Sequence, residues 1–90
     1  MPKLQLTKEI LQLTKEILQT TLQLGAQADA LTRETPLMGH FPQLNSLTVM
    51  GIISEIEAQT GCAIDDQEIS SEIFDSVGTL ATFIQQKMSN

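Results

Sequence analysis

The stretch that decides the fold runs Thr35-Pro-Leu-Met-Gly-His-Phe-Pro-Gln-Leu-Asn-Ser-Leu47. Pro36, Gly39 and Pro42 forbid a regular helix through it, because proline has no amide hydrogen to give and glycine weakens a helix interior. Leu37, Met38, Phe41 and Leu44 nevertheless supply enough apolar surface to pin the segment onto a core. It ends a loop spanning residues 25–45, and loops of that length inside a small domain are usually functional or disordered. The composition here is not that of a disordered segment. Asn45 then offers a helix N-cap, which makes Ser46 the first residue of a helix.

Working outward, the helix that begins at Ser46 is expected to cover about 46–60. Leu47, Met50, Ile53 and Ile56 form its buried side, and Gly61 marks its end. Val49 and Ile52 fall outside that stripe and are expected to be partly exposed, which makes them candidate partner contacts. Asp65, Asp66 and Glu68 follow in a loop, a short helix fits about 70–74, and Ser76 caps a last helix over about 76–88. In that helix Val77, Leu80, Ala81, Ile84 and Met88 repeat at helical spacing.

Upstream, residues 4–24 carry a helical stripe of Leu6, Ile10, Leu13, Ile17 and Leu24, flanked by Leu4, Leu11, Leu18 and Leu22. Gly25 is the expected C-terminal cap. A short turn fits near Asp29–Arg33. Leu4–Ile10 and Leu11–Ile17 both read LQLTKEI. Two heptads fall short of the three or four that mark a coiled coil. The chain is expected to be mostly monomeric, and a homodimer through the wide apolar face of this helix stays open. No segment alternates at period 2 for long enough to be a strand. The expected fold class is all-α: one domain over residues 1–90, with three main helices, one short helix and a long loop between the first two.

Ninety residues leave room for one small domain. Eleven acidic residues against five basic ones give a net charge of −6, which argues against nucleic acid, since phosphate binding needs Lys and Arg. The excess is uneven. Met1–Arg33 carries +1 and Glu34–Asn90 carries −7, with no Lys or Arg between Glu34 and Gln86. A one-signed field of this kind steers basic partners, although plain solubility explains it as well. One Cys and one His exclude a disulfide framework and a Cys/His zinc site within one chain. No membrane span and no signal-peptide layout is visible, so a cytoplasmic location is expected.

Ser46 holds the most distinctive local chemistry. A hydroxyl in the first turn of a helix lies at the positive end of the helix dipole, among unpaired amides, where an attached phosphate is stabilised. On the tripeptide Asn45-Ser46-Leu47 alone, a residue chosen simply to start a helix is the simpler reading. His40, six positions earlier, invites a Ser–His nucleophile, but a hydrolase also needs an oxyanion hole and a cleft, and a small thin core offers little room. No catalytic residue is assigned. Cys62 reads as a small, partly buried apolar residue, with no basic neighbour in sequence to activate it. Asp65, Asp66 and Glu68 lack the spacing of a calcium loop, and no metal site is assigned.

The run from Thr35 to Leu47 resembles the region around the attachment serine of acyl carrier proteins, in which Asp-Ser-Leu opens the second helix of a four-helix bundle. The likeness extends to Leu24-Gly25, to Gly61 with Ile64-Asp65-Asp66, to Ile73-Phe74, and to Ser76-Val-Gly-Thr-Leu-Ala-Thr-Phe-Ile84. It covers about residues 8–87. Thr35–Gly39, Val49–Ile53 and Asp65–Ser70 further resemble a stand-alone bacterial subgroup associated with exopolysaccharide and exosortase systems. Gly51 stands where the fatty-acid carriers commonly have an acidic recognition residue.

The resemblance implies a four-helix acyl-carrier-like bundle and a non-catalytic role. It implies 4′-phosphopantetheine, transferred from coenzyme A to Ser46, with Asn45 and Leu47 flanking the attachment point. The thiol of that arm, not Cys62, would carry an acyl thioester. Partners would be a phosphopantetheinyl transferase, an acyl-loading ligase or synthase, and acyl-transfer enzymes of lipid, polyketide or exopolysaccharide-linked biosynthesis. An acyl pocket between the second and third helices would draw on Met50, Ile64, Ile69, Ile73 and Leu80, together with Leu47. Val49, Ile52, Glu55 and Glu57 are the expected partner-recognition residues. Asn45 departs from the family's Asp, which is associated with the transferase's metal ion, so slow modification or a dedicated transferase is expected. The alternative readings are an aminoacyl or peptidyl carrier and a non-modified helical interaction module.

Overall fold

The computed structural model describes residues 8–39 and 41–89. Three α-helices form its frame: α1 (Lys8–Leu22), α2 (Ser46–Thr60) and α3 (Val77–Ser89). Tighter 3-10 segments occupy Gly25–Ala30, Asp66–Glu68 and Ser71–Phe74. The short helix expected near 70–74 is therefore a 3-10 turn, and the expected four-helix bundle becomes three α-helices with turns between them. Among the described residues the extended pairing is an isolated bridge between Pro36 and Ser76. Leu4, Leu6 and most of the first LQLTKEI copy lie outside the described residues, as does His40.

The buried face of α1 is Ile10, Thr14, Ile17, Leu18 and Leu22. Leu13, expected on the central stripe, is half-buried, and Thr14 is fully enclosed instead. Thr14 fits a core because its hydroxyl donates to the Ile10 carbonyl at 2.7 Å, which satisfies the one polar group that burial would strand. The helix ends at Gln23, which takes a left-handed φ of 55°, while the Leu24 amide reaches back to the Gln19 carbonyl at 3.2 Å. Gly25, the expected cap, instead starts the following 3-10 segment.

In α2 the buried residues are Ile52, Ile53 and Ile56, with Val49 packed beside them. Leu47 is 81 % exposed and Met50 54 % exposed, so the expected stripe through those two is rotated. Apolar residues surround most of this helix, and the side that meets the rest of the core is chosen by packing rather than by periodicity. Gly51 lies where α1 crosses, since a Cβ built there would stand 3.2 Å from Thr21 Cγ2. In α3, Val77, Leu80, Ala81 and Ile84 are buried as expected, while Met88 is exposed. Ser76 and Thr79 cap its start reciprocally: the Thr79 amide donates to Ser76 Oγ at 3.2 Å and the Ser76 amide to Thr79 Oγ1 at 3.0 Å.

The long connection before α2 is fixed by backbone pairing with the start of α3. Leu37 N donates to Asp75 O at 3.0 Å, Met38 N to Phe74 O at 2.9 Å, Val77 N to Thr35 O at 2.9 Å and Gly78 N to Arg33 O at 2.8 Å. Leu37 and Leu44 are buried, Phe41 packs against the core, and Met38 stays outside. Three of the four expected anchors therefore hold the loop, and Met38 does not.

Candidate functional site

The site is organised by Asn45. Its backbone is extended (φ −141°, ψ −177°), as an N-cap requires, and its Oδ1 accepts from Leu47 N at 2.9 Å and Thr48 N at 3.1 Å. Thr48 Oγ1 returns the bond by accepting from Asn45 N at 2.8 Å, and its hydroxyl also donates to the Gln43 carbonyl at 2.7 Å. These bonds close a capping box that locks the entry to α2. The Leu47 and Thr48 amides are thereby committed to Asn45. The field at Ser46 comes from the helix dipole more than from unpaired donors in this turn.

Ser46 is exposed at the first position of α2. Beside it opens a groove of about 460 Å³ lined by Met38, Leu44, Asn45, Ser46, Val49 and Met50. The exposed leucine that follows Ser46 and the two exposed methionines place a concentrated apolar surface around one hydroxyl.

The residues expected to form an acyl pocket are distributed differently. Met50 lines the groove beside Ser46. Ile64 and Leu80 are closed into the core, and Ile69 and Ile73 are half-buried against it. Ile73 also lines a separate open groove, with Phe83 and the polar side chains of Thr79 and Gln86. Ile64 and Leu80 thus belong to the packed core, while Ile69 and Ile73 lie at its edge.

The expected recognition residues also divide. Val49 is half-buried in the groove wall. Ile52 is fully buried, which removes it from any contact surface. Glu55 is half-buried and accepts from Gln59 Nε2 at 3.0 Å. Glu57 is half-buried and accepts from the Ile64 amide at 2.8 Å, so its carboxylate ties the following loop to α2. That structural bond was invisible in sequence, because it depends on Gly61 turning the chain back at φ 73°.

Two other features of this loop were also missed. Glu68 pairs with Lys87 at 2.7 Å. The Lys87 bond, helped by the Asp65 amide, holds the Glu68 carboxyl below its ordinary value, and the same bond holds Lys87 above its own. Cys62 is half-buried, as expected, but the bond its thiol donates to the Lys87 carbonyl at 3.3 Å was not foreseen. Among the described residues no group of three or more His, Cys, Asp or Glu is placed to hold a metal ion. No described helix is long and apolar enough to cross a membrane.

A family model described as the phosphopantetheine attachment site matches residues 8–84, and the chain belongs to that family. It is a carrier protein with phosphopantetheine as its prosthetic group, working with phosphopantetheinyl transferases and acyl-handling enzymes rather than acting as an enzyme. The chain is similar to the holo acyl carrier protein of Nitrosomonas europaea, whose structure was determined in solution by NMR. The two share 32 % identity over 93 % of this chain and 100 % of that one, with a TM-score of 0.82. No curated protein matches it significantly in sequence.

Proposed function

We propose that Ser46 is the residue that carries 4′-phosphopantetheine, and that the protein presents acyl groups held as thioesters on that arm. The observation that carries this reading is the exposed Ser46 at the head of α2, in a turn held by the Asn45–Thr48 capping box and inside the family match. In the transfer, Ser46 Oγ gives up its proton, bonds to the phosphorus next to the pantetheine, and displaces the adenosine bisphosphate half of coenzyme A. The chain's own contribution is positional. Asn45 holds the first turn rigid, the helix dipole favours the resulting negative charge, and Leu47 offers an apolar handle to the transferase. Glu55 is a better candidate than Glu57 for meeting a basic enzyme surface, because Glu57 already serves the Ile64 amide. The partners fit acyl-loading and acyl-transfer enzymes of lipid, polyketide or exopolysaccharide-linked biosynthesis, in the cytoplasm where coenzyme A is available.

Incubation with coenzyme A, Mg²⁺ and a broad-specificity transferase, followed by intact-mass analysis, tests the assignment. One phosphopantetheine increment is expected, and none in Ser46→Ala. An increment that persists in Ser46→Ala defeats it. Asn45→Asp keeps the cap and adds the carboxylate usual in the family, so faster modification is expected from that variant.

A further inference from the structure

Residues 35–54, which run through Ser46 on both sides, contain no Asp, Glu, Lys or Arg. The charge that a basic enzyme surface would feel near Ser46 must therefore come from another part of the fold. We propose that Glu72 and Asp75, in and just after the 3-10 turn Ser71–Phe74, form the edge that meets the basic side chains of the transferase acting on Ser46. The contact reaches them across Met38 rather than along α2. The partner surface that fits carries an Arg or Lys pair beside an apolar area. This inference rests on Ser46 being the attachment residue.

The backbone brings this edge to the site. Met38 lines the same groove as Ser46. The Met38 amide bonds to Phe74 O at 2.9 Å, and the Leu37 amide bonds to Asp75 O at 3.0 Å. The Asp75 amide in turn closes on Glu72 O at 3.2 Å. Ser46, Met38, Glu72 and Asp75 are all exposed, so a hydrogen-bonded backbone path joins four surface residues. Glu72 also rims the open groove that contains Ile73 and Phe83. The aliphatic stem of an Arg or Lys would find an apolar rest there, beside its counter-charge.

The other acids of this half are engaged or distant. Glu55 accepts from Gln59, Glu57 from the Ile64 amide, and Glu68 is paired with Lys87. Glu34 shares a groove with Arg33, whose charge offsets it. Asp65 lies beyond the far end of α2, and a helix of 15 residues spans about 22 Å. Glu72 and Asp75 have no side-chain hydrogen bond or ion pair among the described residues, so meeting a cation breaks no existing bond. No Lys or Arg between Glu34 and Gln86 opposes an incoming basic surface.

Transfer from coenzyme A by a broad-specificity transferase, followed by intact mass over a range of carrier concentrations, tests the edge. No increment on the parent protein overturns the Ser46 reading and this proposal together. With the parent modified, Glu72→Lys/Asp75→Lys should lower kcat/KM about tenfold in about 0.1 M salt, mainly through KM, with Glu72→Gln/Asp75→Asn in between. Asp75→Lys alone should cost more than Glu55→Lys alone. In about 1 M salt, where the screening length falls to about 3 Å, each variant should approach the parent. Circular dichroism melts separate lost contact from lost fold. If the Lys variants melt early, the Gln/Asn variant, closer in shape, decides by the same criteria. A parent-like kcat/KM in the double variants, a loss that salt does not close, or a larger loss in Glu55→Lys than in Asp75→Lys overturns the edge and leaves the attachment site standing.

Discussion

Gln23 shows how much local conformation a single residue can hold against its preference. A left-handed backbone costs a non-glycine residue roughly 1–2 kcal/mol, because its Cβ crowds the following carbonyl. Gln23 adopts it so that the Leu24 amide can close on Gln19 and bury Leu24. Gln23→Gly is therefore expected to stabilise the protein by about 0.5–1 kcal/mol, less than the full strain because glycine also loosens the unfolded chain. Urea unfolding monitored by circular dichroism checks it, and a lower midpoint in the variant would contradict the assignment. The sequence pointed two residues downstream to Gly25, since residue preference names the comfortable cap and not the one that geometry demands. Thr14 teaches the same lesson in the core. Its side chain is polar on paper, and only the bond to Ile10 O makes it a core residue. Asn45 was legible, because capping is local chemistry and needs no tertiary information.

At the scale of elements, the helices themselves were readable from periodicity and caps, and α3 kept almost all its expected stripe. α2 was readable in extent but not in orientation, because apolar side chains on most of its circumference permit more than one buried face. That ambiguity carried into the site: Ile52 turned inward, and Met50 turned to the groove beside Ser46. The pairing of residues 33–38 with residues 74–78 left no sequence signal, since backbone bonds between distant segments depend on no particular side chain. It does impose one requirement, at Gly78. A Cβ there would stand 2.7 Å from the Arg33 carbonyl oxygen, a backbone atom that cannot swing aside. Gly78→Ala is expected to destabilise the fold by about 1–2 kcal/mol, overpacking outweighing alanine's better helix propensity. Hydrogen exchange should quicken most at the amides of Leu37, Met38 and Val77. Exchange unchanged at those three would show that the contact is dispensable.

For the molecule as a whole, the acidic excess after residue 33 is relieved, among the described residues, by the ion pair of Glu68 with Lys87, which joins the loop after α2 to the last helix. Glu68 titrates below its ordinary 4.5, so its stabilising share is complete above that value and is lost as pH falls through the lower folded value. Lys87 titrates above its ordinary 10.5, and its share is lost as pH rises through that raised value. Glu68→Gln should therefore be less stable than the parent at pH 7, with the difference shrinking towards pH 3. Parallel urea titrations at the two pH values measure it, and a constant difference would mean that the pair does not act through charge.

The docking of residues 33–38 on residues 74–78 also bears on how the protein is made. A growing chain that has reached Ser70 already holds α1, the connecting loop and α2, but none of the backbone partners that fix the loop. The loop beside Ser46 lacks those partners until residues 74–78 have emerged from the ribosome. The surroundings of Ser46 are therefore completed by a segment that is made well after Ser46 itself.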